Sequence, residues 1–193
     1  MKKLIIVFLT FFSLLFPQFN IPPEVKEILD KTENIFKGKK IEAKIDFSTE
    51  FQGMKIEFES KIMADLNSGK FYVENGDKSI VVCDGNYLWN YDKTTNFYSK
   101  IPLKKNGRLP SQYVFPLFII DLAKAIPKIE NIDIGKVNFE DKNCYLITFS
   151  GKDFENNSHI INLWINSENY YPVQIRLLTQ NKNFQMNYKI KSL

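Results

Sequence analysis

From Ile41 to Ile62 the chain alternates apolar and polar residues almost without interruption. Ile41, Ala43, Ile45, Phe47, Thr49 and Phe51 interleave with Glu42, Lys44, Asp46, Ser48 and Glu50. After Gln52-Gly53 the pattern resumes, with Met54, Ile56, Phe58 and Ile62 set against Lys55, Glu57, Glu59 and Lys61. Period-two alternation sends successive side chains to opposite faces of a strand, so the stretch reads as a long antiparallel hairpin with one apolar and one wet face. It excludes a sheet covered by helices on both sides. Asp46, Glu50, Glu57 and Glu59 are then expected to be solvated carboxylates.

Shorter strands follow at hairpin spacing: Phe71 to Glu74, Ile80 to Cys83, Tyr87 to Tyr91 and Phe97 to Ile101. Between the second and third, Asp84-Gly85-Asn86 supplies residues that tolerate left-handed backbone angles. Alternation puts Tyr87, Trp89 and Tyr91 on one face, where something apolar is expected to lie against them. Further strands are predicted at Ile132 to Phe139, Cys144 to Ser150, His159 to Asn166, Val173 to Thr179 and Phe184 to Lys191. Helical spacing appears twice. Pro22-Pro23 opens an amphipathic segment through Val25, Ile28, Leu29, Ile35 and Phe36 that Gly38 stops, and Pro116 opens an apolar one, Leu117 to Ile126, that Pro127 ends. Leu103 to Pro110 reads as an exposed basic loop. About eleven strands with two helices make a mainly β (α+β) chain, and an antiparallel sheet that long curls around its helices.

The N-terminus reads as a secretory signal over residues 1–20, with a basic Met1-Lys2-Lys3, an apolar run from Leu4 to Phe16 and a Pro-broken exit. The run is shorter than the roughly 20 residues that span a bilayer. Residues 21–193 are expected to form one exported domain, although no small-residue cleavage site precedes Ile21 and an uncleaved tether to the inner membrane is the alternative. Removing Lys2 and Lys3 lowers the formal charge from +4 to +2, too weak a field for nucleic acid. Cys83 and Cys144 read either as a disulfide or as free buried thiols. The single histidine, His159, is expected at the surface or a strand edge. No nucleotide loop, zinc spacing, calcium loop or catalytic triad is present, so neither an enzyme, a cofactor nor a metal is expected.

What remains is apolar and aromatic surface. The concave face of the sheet is expected to carry Phe47, Phe58, Trp89, Tyr91, Trp164 and Ile175, with the Leu117 to Ile126 helix as its lid. That interior is either a packed core or a cavity suited to an acyl chain.

The hairpin Ser79-Ile80-Val81-Val82-Cys83-Asp84-Gly85-Asn86-Tyr87-Leu88-Trp89-Asn90-Tyr91-Asp92 resembles a motif of the LolA family of periplasmic lipoprotein carriers. Phe115-Pro116-Leu117-Phe118-Ile119-Ile120 is similar to the start of that family's central helix. The Trp164 strand followed by Tyr171-Pro172-Val173 resembles a strand-turn-strand of the broader lipoprotein-sorting group. The resemblance implies an unclosed eleven-strand β-barrel with a helical lid that includes Leu117, Phe118 and Ile120, and a lining that includes Trp89 and Tyr91. It further implies a monomeric periplasmic carrier that takes acylated lipoproteins, by their acyl chains, from an inner-membrane ABC transporter to an outer-membrane acceptor. Where the family commonly has Arg-Pro, this chain has Gly69-Lys70-Phe71, so Lys70 is the candidate transfer residue, without the planar fork of Arg. The alternatives are a general periplasmic lipid-binding protein and an RseB-like lipid-sensing regulator. A regulator of that kind carries a second domain, which is not expected after a last strand reaching Lys191.

Overall fold

A computed structural model describes residues 21–65, 67–103, 128–152, 157–179 and 184–192. The signal segment and the Leu117 to Ile126 lid helix, with Leu117, Phe118 and Ile120, lie outside the described residues, as does most of the basic loop. Helix α1 (Pro23–Phe36) begins with Pro in its first turn, where no amide donor is needed, and Gly38 follows its end at φ +71°.

Eleven strands follow among the described residues: β1 (Lys40–Phe51), β2 (Met54–Asp65), β3 (Lys70–Asn75), β4 (Ser79–Cys83), β5 (Tyr87–Asp92), β6 (Phe97–Pro102), β7 (Lys128–Phe139), β8 (Lys142–Lys152), β9 (Ser158–Asn166), β10 (Pro172–Thr179) and β11 (Phe184–Ser192). They form one curved antiparallel sheet in the order β6-β5-β4-β3-β2-β1-β11-β10-β9-β8-β7. The sheet is unclosed, with β6 and β7 as its two edges. Two meanders therefore meet at its centre through the β1–β11 ladder, which runs from Ile45↔Ile190 to Phe51↔Phe184. The β1–β2 turn is Gln52-Gly53, both at positive φ, and Glu140-Asp141 makes an equivalent two-residue turn between β7 and β8. With so short a turn, β8 begins at Lys142, ahead of the expected Cys144.

α1 covers part of one face, here the core face. Val25 and Ile28 of the helix join Ala43, Ile45, Ile62, Phe71, Val81, Ile147, Leu163 and Ile175 of the sheet in one buried cluster. The helix is tied down towards its C-terminal end, where Phe36 meets Tyr171 edge-on with centroids 6.0 Å apart and Lys31 donates to the Tyr170 hydroxyl at 3.1 Å. Cys83 and Cys144 are free and buried, and desolvation pushes both thiols up. His159 differs from expectation. It is buried on the core face, and its Nδ1 lies 3.0 Å from Thr179 Oγ1, the residue directly opposite it on β10. The polar loop before it suggests an edge, but β9 is flanked on both sides by β8 and β10.

Candidate lipid-binding face and a polar groove behind it

Adjoining the helix-covered cluster, and sharing Ile175 and Leu177 with it, the core face continues as an apolar floor across β2, β1, β11 and β10. Its first row is Phe58, Phe47, Tyr188 and Ile175, each opposite the next in register. Phe47 sits between two rings, 4.6 Å from Phe58 and 4.9 Å from Tyr188. Offset and edge-on pairs at such distances contribute about 0.5–1.5 kcal/mol beyond area burial. Burial also pushes the Tyr188 phenol well above its usual range. The next row is Ile56, Thr49, Met186 and Leu177, in which Thr49 turns its hydroxyl to the carbonyl oxygen of Gln185 at 3.1 Å. The outermost row holds Met54, Phe51 and Phe184.

Burial falls along these rows. Ile175 is 1% exposed, whereas Ile56, Phe51 and Met54 are 47%, 40% and 66% exposed. Large apolar side chains gathered on one surface mark a contact region far better than scattered ones do. Lys78 stands at the rim, with its Nζ 5.3 Å from the Phe58 ring centroid.

Three of the six residues expected to line one cavity therefore share the first row: Phe47, Phe58 and Ile175. The other three, Trp89, Tyr91 and Trp164, stand on the opposite, outer face. Alternation in each of their strands has the expected period and the reverse orientation. On β5 the pairs Cys83↔Leu88 and Val81↔Asn90 put Leu88 with the core, so Tyr87, Trp89 and Tyr91 point away from it. No apolar layer lies against them among the described residues. Instead Lys100 Nζ sits 3.8 Å and 4.4 Å from the Tyr87 and Trp89 ring centroids. On β9, Ile161, Leu163 and Ile165 are the buried set, which turns Trp164 outward against Phe139 at 5.3 Å. Lys70 opens β3 on the outer face, exposed and opposite Asp65.

Asp84 explains why the Ser79–Asp92 hairpin takes its shape. One carboxylate oxygen accepts the backbone N–H groups of Asn86 and Tyr87, each at 2.8 Å, and the other accepts the Trp89 indole N–H at 3.1 Å. Those hydrogen bonds, with the indole's the strongest influence, hold the carboxyl below the usual range. Gly85 takes the φ of +95° that the turn requires.

The outer face also carries a groove of about 650 Å³ across β2, β1, β11 and β10. Its lining joins Phe47 and Phe58 to the polar residues Asp46, Ser48, Glu57, Glu59, Gln174, Arg176, Gln185, Asn187 and Lys189. Sequence reasoning places Asp46, Glu57 and Glu59 on a wet face but not in a groove. The depression needs the register of four strands, two of them about 130 residues further along the chain. Among the described residues no group of three or more His, Cys, Asp or Glu side chains is placed to hold a metal ion, and no described helix is long and apolar enough to cross a membrane.

The chain matches no protein-family model. Over 183 residues it is 25% identical to the uncharacterized protein MJ0687 of Methanocaldococcus jannaschii, a stretch covering 93% of this chain and 52% of that protein. The chain thus spans about half the length of this curated relative. In shape it is similar to a LolA superfamily protein, NE2245 from Nitrosomonas europaea, with a TM-score of 0.40 at 10% identity over 86% of this chain and 91% of that one. It is also similar to a putative outer membrane lipoprotein-sorting protein domain from Vibrio parahaemolyticus, with a TM-score of 0.41 at 8% identity over 86% and 89%. The third similarity is to the Pseudomonas aeruginosa MucA/MucB complex, with a TM-score of 0.47 at 11% identity over 88% of this chain and 58% of that one. Similarity at this level carries no residue role from those proteins to this chain.

Proposed function

We propose that the protein is an exported, non-enzymatic carrier that shelters an acyl chain of a lipoprotein or lipid on the apolar floor of its core face. The observation that carries this reading is the floor itself. Phe47, Phe58 and Tyr188 form a ring cluster continuous with the buried core, while Phe51, Met54 and Ile56 on the same face stand substantially exposed. Each methylene moved from water onto such a surface is worth about 0.8 kcal/mol, which makes capture tight and reversible without any covalent chemistry. The LolA-like hairpin motif in the sequence supports the same reading.

In the finer form of the proposal, residues 1–20 direct export and Leu117, Phe118 and Ile120 belong to a lid over the floor. The cargo is received from an inner-membrane ABC transporter and passed to an outer-membrane acceptor, with Lys70 on the surface that meets one of them. The test is native mass spectrometry with lipid extraction on protein purified from its own envelope without detergent. Co-purifying acylated peptide supports the carrier, and diacyl lipid alone narrows the function to lipid binding. An empty protein that also fails to take up a fluorescent fatty acid, with no change for Phe58→Ala, overturns the reading.

A further inference from the structure

We propose that the β5–β6 margin of the sheet is a membrane-docking edge, seated at the headgroup level of a lipid bilayer. This goes beyond the acyl-carrier reading and does not rest on it. Of the nine exposed large apolar side chains among the described residues, five lie on these two adjacent strands: Tyr87, Tyr91, Phe97, Tyr98 and Ile101. No described strand pairs the far side of β6, where Phe97, Tyr98 and Ile101 are 65%, 69% and 53% exposed. Edges left to water are commonly blunted with several charges, yet β6 carries only Lys100.

Both faces of this margin are apolar. Ile101 stands opposite the buried Leu88, which puts it and, by alternation, Phe97 on the core side. Tyr98 stands opposite Tyr91 on the outer side, the side of Tyr87 and Trp89. A helix or a partner protein laid against the sheet covers one face and leaves the other wet, whereas a bilayer interface closes round a thin hairpin from both sides. Area points the same way. Six residues of two strands present roughly 200 Å² a face, or about 400 Å² in all, against the ~800 Å² per partner of a stable protein interface. A second copy packed there buries too little to hold.

The side chains set the depth. Tyr and Trp join an apolar ring to a polar tip, the combination that gathers where water meets hydrocarbon. Here the Tyr91 hydroxyl donates to Asn96 Oδ1 at 3.0 Å and the Trp89 indole N–H to Asp84, so both rings can leave water without stranding a donor. Along its free side β6 keeps a row of unpaired backbone N–H and C=O groups, which hydrocarbon does not tolerate and a hydrated headgroup layer does. Lys100, lying over the Tyr87 and Trp89 rings, forms no ion pair among the described residues, and its flexible stem lets the ammonium reach an anionic headgroup.

The test uses the exported protein with Trp164→Phe, which leaves Trp89 as its only tryptophan, and unilamellar vesicles of phosphatidylcholine and phosphatidylglycerol in equal parts. Trp89 emission is expected to shift to the blue and to be quenched by brominated lipid, more by bromines near the headgroups than by bromines near the chain ends. Trp89→Phe, which leaves Trp164 on β9, should show no quenching. Phe97→Ser with Tyr98→Ser is expected to need at least about 10-fold more lipid for half the effect, since two rings lose their burial. Should that pair not fold, Ile101→Ser replaces it, with an expected loss of about 3-fold. Met54→Ser, in the other exposed cluster, should leave the titration unchanged. Fluorescent fatty-acid uptake should survive Tyr98→Ser, so this proposal and the acyl-carrier reading fail separately. Absence of quenching, equal quenching of Trp164, stronger quenching by the deeper bromines, no loss in the folded variant, or an equal loss for Met54→Ser overturns the proposal. So does a dimer that Phe97→Ser with Tyr98→Ser splits while no vesicle binding is seen, which assigns the margin to a second copy.

Discussion

Ile45 and Ile56 stand on the same face of one hairpin, in equally regular alternation, and meet opposite fates. Near the helix, Ala43, Ile45, Ile62 and Ala64 are all buried; towards the turn, Phe51, Met54 and Ile56 are exposed by between two-fifths and two-thirds. The pattern is the same at both ends, and the difference is the cover. α1 lies over the end where β1 begins, and its Val25 and Ile28 complete that cluster. Alternation decides which face a side chain joins, while burial depends on what another element brings to that face.

The sharpest way to break this contrast is at its buried end. Ile45→Ala is expected to cost about 2–5 kcal/mol, read as a lowered urea midpoint with an unchanged slope, because the cavity left under α1 cannot be filled. Phe58→Ala, at the boundary, should cost about 1 kcal/mol in stability yet weaken fatty-acid binding several-fold, separating the floor's role in packing from its role in capture.

The helix that makes the difference can itself be perturbed by pH. Desolvation, reinforced by the charge of Asp30, pushes the Glu33 carboxyl up to about 7 from an ordinary 4.5. The folded chain then holds more proton than the unfolded chain between those values. This contribution to stability is fully present below about pH 4.5 and is lost as pH rises through 7. Glu33 is half-buried, so after allowance for solvent screening the effect is of order 1 kcal/mol. Glu33→Gln should gain on wild type as chemical-denaturation midpoints are compared from about pH 5 to about pH 8, and an unchanging difference would count against the assignment. The smallest effect is at the open end: Ile56→Ser should move stability by no more than about 0.5 kcal/mol. A larger loss would mean that the tip is covered after all.

The same distinction between face and cover separates what the residues disclose from what they do not. The β1–β2 hairpin, α1 and the Asp84-Gly85-Asn86 turn are legible because each rests on local chemistry: alternation, a proline-opened amphipathic run, and residues that tolerate left-handed backbone angles. The side taken by Trp89 and Trp164 is not. Ile80 to Cys83 is an apolar run on both faces, so nothing within β4 says which half of β5 turns inward until the pairing Cys83↔Leu88 is known. Ring size pulls the expectation towards the interior, but the smaller Leu88, Leu163 and Ile165 occupy it. His159 is misplaced for a related reason, since its partner Thr179 is close only through the β9–β10 register. The outer groove depends on pairing across the β1–β11 ladder and has no counterpart in any single segment.

That ladder gives the molecule an uncommon mechanical plan. Among the described residues the first and last strands are zipped together in the middle of the sheet, whereas its two margins, β6 and β7, are the strands that flank residues 104–127 in the chain. Each meander is assembled from neighbours in sequence, and the two are sewn together by a seam whose bonds, such as Thr49 to Gln185, close loops of 136 residues. Closing so long a loop is entropically the most demanding pairing step, though its cost grows only logarithmically with length. A break in the chain between β6 and β7 would cut none of the described strands and would leave β1 on one fragment and β11, its partner in the seam, on the other.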